Sequence, residues 1–208
     1  MIKAIHRRGP VFFPGAVRTE IKNGYEVVQE YENPGDGPWL VDLSHVPKWD
    51  IQNRNITDVR VWSLTPPERP SECILEQGRL ICRLNRVQVA AWDLSCRAGE
   101  LCLPFATEIT DGLCLLAVVG NEALAVMERI TPLDVFAPGV TPPVLIQGPV
   151  LHIPCRLVRL RQTETREAVL IGFSRGYGQS MAESMLSAAG DLGLRQGGED
   201  VFKPMLDA

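Results

Sequence analysis

The chain has 208 residues and a formal net charge of −4, a length for one large domain or two small ones, with one the simpler reading. At this size folding buries roughly 70% of the surface that the unfolded chain exposes, so neither a metal nor a disulfide staple is required. The acidic balance argues against a nucleic-acid binder: the densest basic stretch, Arg156, Arg159 and Arg161, alternates with Leu157, Val158 and Leu160 as the wet face of a strand would, with no aromatic interleaving.

The opening stretch, Met1 to Arg8, has no long apolar core and no small-residue cleavage site, so it does not read as a secretory signal. From Ala16 to Tyr31, Val17, Ile21, Val28 and Tyr31 fall near one helical face, which predicts a helix weakened at Gly24 by about 1 kcal/mol. Asn33 to Pro38 is a breaker rich in Pro and Gly. Trp39 to Ser44 then alternates as a short strand, and Lys48 to Gln52 reads as another. Past a second breaker at Thr65 to Pro70, Cys73-Ile-Leu and Leu80-Ile-Cys82 flank Glu76-Gln77-Gly78 as a hairpin, and Arg86 to Leu94 alternates as a further strand.

The second half is patterned more sharply. Leu113 to Val119 is an unbroken apolar run, as a strand buried on both faces requires. Asn121 is placed to cap a helix over Glu122 to Ile130, which Pro132 ends. Ala137 to Pro143 is a loop. Val150 to Leu160 reads as one long strand, with Glu167 to Phe173 as its hairpin partner across Gln162 to Arg166. A last helix spans about Gln179 to Leu192, with Met181, Met185, Leu186, Ala189 and Leu192 on its apolar face and Gly193 as its stop. Truncation of a buried Leu186 to Ala is expected to cost about 2–5 kcal/mol. Gly197-Gly198-Glu199-Asp200 reads as a flexible C-terminal connection.

No segment reaches the roughly 18 apolar residues of a membrane span. The chain is therefore expected to be cytoplasmic, with its six cysteines reduced. Cys82, Cys114 and Cys155 sit in apolar runs as core residues, and neither the cysteines nor the three scattered histidines carry metal-ligand spacing. His45 beside Asp42 and Ser44 invites a triad. Neighbouring side chains on a strand diverge, however, which favours a structural polar cluster. Gly172 to Gly178, with Arg175, could receive an anion ahead of a helix, but it lacks a dinucleotide fingerprint and a phosphate-loop lysine, so an ordinary loop is favoured. Trp39, Trp49, Trp62 and Trp92 are confined to the first half; most are expected in the core, while an exposed one could anchor a partner subunit.

Three stretches, in order, carry a family resemblance. Leu40-Val-Asp-Leu-Ser-His45 with Lys48, Leu116 through Thr131, and Leu170-Ile-Gly-Phe-Ser-Arg175 through Arg195 together resemble the aminomethyltransferase (glycine-cleavage T-protein) superfamily of folate-binding proteins. Within it the likeness is greatest to the gamma subunits of heterotetrameric sarcosine oxidase. The resemblance implies an α+β fold: a ferredoxin-like β-α-β-β-α module over 111–208, preceded by a proline-rich, strand-rich half over 1–110, together forming one reduced T-protein-like domain. In the transferases a loop presents a catalytic aspartate to the folate site. Here Glu76-Gln77-Gly78 matches that loop, but the two Asp positions fall on Cys82 and Arg83, and the family's folate-binding Glu falls on or near Val169. An arginine cannot act as a general base, and a buried Cys without a partner base is a poor substitute.

The resemblance thus implies vestigial folate-site positions at Cys82, Arg83 and Val169, no catalytic residues and no resident cofactor. It points to an accessory subunit of a hetero-oligomer, docking on a larger oxidoreductase or methyltransferase of one-carbon, sarcosine or methylamine metabolism. The alternative is a tetrahydrofolate-dependent aminomethyl or methyl transferase that works with other residues.

Overall fold

A computed structural model describes residues 6–97, 101–162 and 167–206. After a two-residue strand, β1 (Arg7–Arg8), the stretch expected as a helix folds instead as a hairpin of β2 (Ala16–Lys22) and β3 (Tyr25–Tyr31). The turn explains the difference. Asn23 and Gly24 both take positive φ, 50° and 76°, the backbone of a two-residue hairpin turn and one that Asn-Gly adopts at little cost. Burial then follows a period of two, with Tyr25, Val27, Gln29 and Tyr31 inward, while Val17 and Ile21, counted toward a helical face, lie exposed.

β4 (Trp39–Asp42), β5 (Lys48–Gln52), β6 (Cys73–Glu76), β7 (Arg79–Asn85) and β8 (Gln88–Asp93) follow near their expected places, with Gln77 and Gly78 turning the β6–β7 hairpin. A short β9 (Ala106–Glu108) pairs with β5. β10 (Leu113–Gly120) leads into α1 (Ala123–Ile130), whose N-cap is Glu122 with no side-chain hydrogen bond, so Asn121 does not cap it. The single strand expected from Val150 to Leu160 is the join of two, β11 (Val144–Val150) and β12 (Ile153–Gln162), folded back on each other through Leu151 and His152 at positive φ. β13 (Glu167–Ser174) pairs with β12; residues 163–166 of the loop expected between them lie outside the described residues. α2 (Gly178–Ala188) and a short 3₁₀ turn end at Gly193, at φ 82°. The supposed connection at 197–200 is ordered structure, since β14 (Arg195–Gly197) adds to β4 in parallel.

The class is α+β with strands dominant. β1-β3-β2 form a small sheet, β11-β12-β13-β10-β4-β14 a six-stranded one, and β6-β7-β8-β5-β9 a five-stranded one. β10 shows why its sequence is apolar throughout. Leu116 and Val118 face α1 and α2 in one cluster with Met127, Met181 and Met185. Leu115, Ala117 and Val119 face the other way, in a second cluster with Leu80, Cys82 and Trp92 of the five-stranded sheet. The layers are therefore helices, sheet and sheet. A third cluster, with Ile51, Ile81 and Val89, covers the far side of the five-stranded sheet. The small sheet leans on the β4–β14 end, where β3 meets β14 and the turn at 199–201.

Arg159, expected on a wet face, is 7% exposed, with its guanidinium 4.7 Å from the Phe136 ring centroid. Its neighbour Arg156 is half-buried, and the side chain of Arg161 lies outside the described residues. Among the described residues no helix is long and apolar enough to cross a membrane.

Candidate functional site

Where β4 ends, the chain turns and places four polar side chains, Asp42, Ser44, His45 and Lys48, within seven residues. They do not converge. Ser44 N–H donates to Asp42 Oδ1 at 2.9 Å, while Ser44 Oγ accepts the Leu115 N–H at 3.1 Å and points to Cys114 Sγ at 3.4 Å. His45 faces the opposite way, with Nε2 3.1 Å from Glu199 Oε1. Ser44 and His45 form no nucleophile–base pair. Lys48, 0% exposed, spends its ammonium on the carbonyls of Ser44 and Val46, at 2.8 and 2.6 Å. Burial lowers its pKa to about 8, against the opposing pull of Asp42.

Glu199 organises the other side of this turn. It is 5% exposed and takes, besides His45, hydrogen bonds from Gln29 at 2.8 Å and from Lys22. Burial alone would raise its carboxyl, but these donors and the His45 charge outweigh it and hold the pKa at about 2. The cluster ties β2, β3, the β4 turn and the C-terminal segment together.

Beside it lies a cavity of about 240 Å³, bounded by the N-terminal segment from Arg8 to Phe13, by β3, and by Asp42 and His45. Asp42 is part-exposed toward it. Burial raises the Asp42 carboxyl, and the Ser44 hydrogen bonds with the charges of His45 and Lys48 offset this only in part. The Tyr31 phenol, in the same wall, is pushed up to about 12 by burial and by the Asp42 charge. The other wall includes Phe13, edge-on to Tyr31 with ring centroids 6.5 Å apart. A carboxylate recessed among aromatic and aliphatic side chains can accept a hydrogen bond or exchange a proton with a small polar ligand.

Sequence reasoning shows Asp42 and His45 as part of a polar group but passes over Glu199, Tyr31 and the N-terminal segment. The positions aligned with a folate site lie elsewhere, Cys82 and Arg83 on β7 and Val169 on β13. Cys82 is buried between the two large sheets, its Sγ 3.0 Å from Cys73 Sγ, with its thiol raised well above the ordinary range by burial and then by Cys73. Arg83, 4% exposed, extends from the next position of β7 and hydrogen-bonds the Arg86 carbonyl. Val169 packs on the helix side of the six-stranded sheet. In the Gly172–Gly178 loop, Arg175 hydrogen-bonds the Arg8 carbonyl at 2.8 Å. Among the described residues no group of three or more His, Cys, Asp or Glu is arranged to hold a metal ion.

Neither a family profile nor a curated protein sequence matches the chain. A solved structure does: a chain of the heterotetrameric sarcosine oxidase from Corynebacterium sp. U-96, in complex with pyrrole 2-carboxylate, superposes with a TM-score of 0.57. The two folds are alike. The likeness covers 76% of this chain and 86% of that one, at 13% identity, so it is one of fold. Those coverages also make the neighbour a chain of similar, slightly smaller size.

Proposed function

We propose that this chain is a small accessory subunit of a hetero-oligomeric enzyme, of the sarcosine oxidase gamma kind, docking on a larger oxidoreductase or methyltransferase chain and holding no cofactor of its own. The observation that carries the reading is the likeness in fold and size to one chain of a heterotetrameric oxidase. The separation of Cys82 from Val169, on opposite sides of the six-stranded sheet, supports it, because a folate site would need those positions to meet. The reading includes two structural statements. β10, α1, β12, β13, α2 and β14 form a ferredoxin-like unit with β4 inserted between β10 and β14, and the whole chain folds as one domain.

Co-expression with the products of neighbouring genes, followed by size-exclusion chromatography, tests the assignment. A stable complex with a large flavin- or folate-dependent chain is expected. A chain that remains monomeric beside every such product overturns it. A tetrahydrofolate-dependent transferase is the second reading, favoured by the recessed Asp42 carboxyl and its cavity. Saturable quenching of tryptophan fluorescence by micromolar tetrahydrofolate would favour this second reading over the first.

A further inference from the structure

We propose that the cavity between the N-terminal segment and β3 binds a small organic ammonium ion, its nitrogen on Asp42 and its apolar part against Phe13, Val27 and Tyr31. The inference stands apart from the subunit assignment and rests on what surrounds one carboxylate. Asp42 is recessed in a wall that is otherwise mostly aromatic and aliphatic. The basic side chains beside it are engaged elsewhere: Lys48 by the Ser44 and Val46 carbonyls, and His45 by Glu199. In the cavity lining Arg8 pairs with Glu26 at 3.3 Å, and its chain neighbour Arg7 pairs with Asp111 at 2.9 Å. Among the described residues no cation forms an ion pair with Asp42. A recessed carboxylate without a paired cation is costly to keep ionised, and a ligand that brings one relieves the cost.

The walls select the kind of cation. Phe13 and Tyr31, set edge to face, line the same cavity as the carboxylate, and an ammonium ion gains from aromatic rings where a hydrated metal ion does not. An anion would meet Asp42 and Glu26, and the basic side chains of the same lining, Arg8 and His45, are taken up by Glu26 and Glu199. The volume, about 240 Å³, lies below the usual range for drug-sized ligands, so the ligand is a small amine.

The cavity is also held in shape. The Phe12 N–H donates to Gln179 Oε1 at 2.7 Å, and Gln179 Nε2 donates back to the Phe12 carbonyl at 3.1 Å. Arg175 holds the Arg8 carbonyl in the same way. These contacts from α2 and the turn before it strap residues 8–12 across the opening. The strap passes close to the carboxylate: any side chain on Gly9 would overlap Asp42 Oδ2. A preformed pocket of this kind loses little freedom when a ligand enters.

Titration calorimetry on the intact chain with three probes of one shape tests the proposal: benzylammonium, benzyl alcohol and benzoate. Benzylammonium is expected to saturate one site, with benzyl alcohol weaker by at least about tenfold and benzoate not binding. Asp42→Asn, which keeps an acceptor for the Ser44 N–H, should weaken benzylammonium by about tenfold or more. Phe13→Leu should weaken it by about threefold. Both variants are checked for native far-ultraviolet circular dichroism, so that loss of binding is not loss of fold. No saturation by millimolar benzylammonium, equal binding of all three probes, or undiminished binding to folded Asp42→Asn would each overturn it.

Discussion

Glu199 keeps its carboxylate inside the protein because three donors from three distant segments meet it: His45, Lys22 and Gln29. Its pKa of about 2 lies below the ordinary 4.5, so the folded state holds the proton less tightly than the unfolded chain does. The group's contribution to stability is therefore complete above pH 4.5 and is lost as pH falls from there toward 2. Glu199→Gln should lower stability at pH 7 by about 1–3 kcal/mol, the lower part of that range reflecting solvent screening around Lys22. It should also flatten the acid limb between those two pH values. Urea denaturation at stepped pH reads both effects, and an acid limb as steep as in the wild type would contradict the role given to Glu199. The sequence marks Asp42-Leu-Ser-His45 as a polar end to a strand, since three polar residues among four, after an apolar run, are visible locally. Nothing local marks Glu199: its partners lie 154, 170 and 177 residues away, and two preceding glycines make its surroundings look loose.

Among the elements, legibility depended on which period the residues could satisfy. β10 was plain, because only burial on both faces explains seven apolar residues in succession. The β2–β3 hairpin was not, because β2 lies almost wholly exposed and so has no inward face to impose alternation, while Val17 and Ile21 mimic a helical spacing. Asn23-Gly24 was the discriminating signal, a turn dipeptide in the middle of the supposed helix. β11 is hidden in the sequence for a related reason: its turn, Leu151-His152, carries positive φ without a glycine or asparagine to announce it. In α2 the helical face was legible, but its weights were not. Met185 is fully buried, and Leu186, which the spacing alone places equally in the core, only packs against its margin. Met185→Ala should cost about 2–5 kcal/mol and Leu186→Ala less than half as much. Urea midpoints of the two variants compare them directly, and equal losses would mean that α2 is rotated from the position described.

At the scale of the molecule, the six-stranded sheet is the shared wall of both main cores, with α1 and α2 on one side and the five-stranded sheet on the other. The contact across the second core is close: the Trp92 indole lies against Gly172 of β13, where an added Cβ would come within 3.2 Å of the ring. Loss of packing under α2 must then be felt through β10 and β13 by the tryptophans beyond them. The sequence offers a clean probe, because Trp39, Trp49, Trp62 and Trp92 all precede the 111–208 half. If the chain unfolds as one cooperative unit, Met185→Ala will shift the tryptophan-fluorescence transition by the same free energy as the transition followed by far-ultraviolet circular dichroism. Separate units would behave differently: fluorescence would keep its wild-type midpoint while circular dichroism moved. Coincidence is the expected result, because Leu115, Ala117 and Val119 alternate with Leu116 and Val118 on a single strand. That strand cannot leave one core and stay in the other.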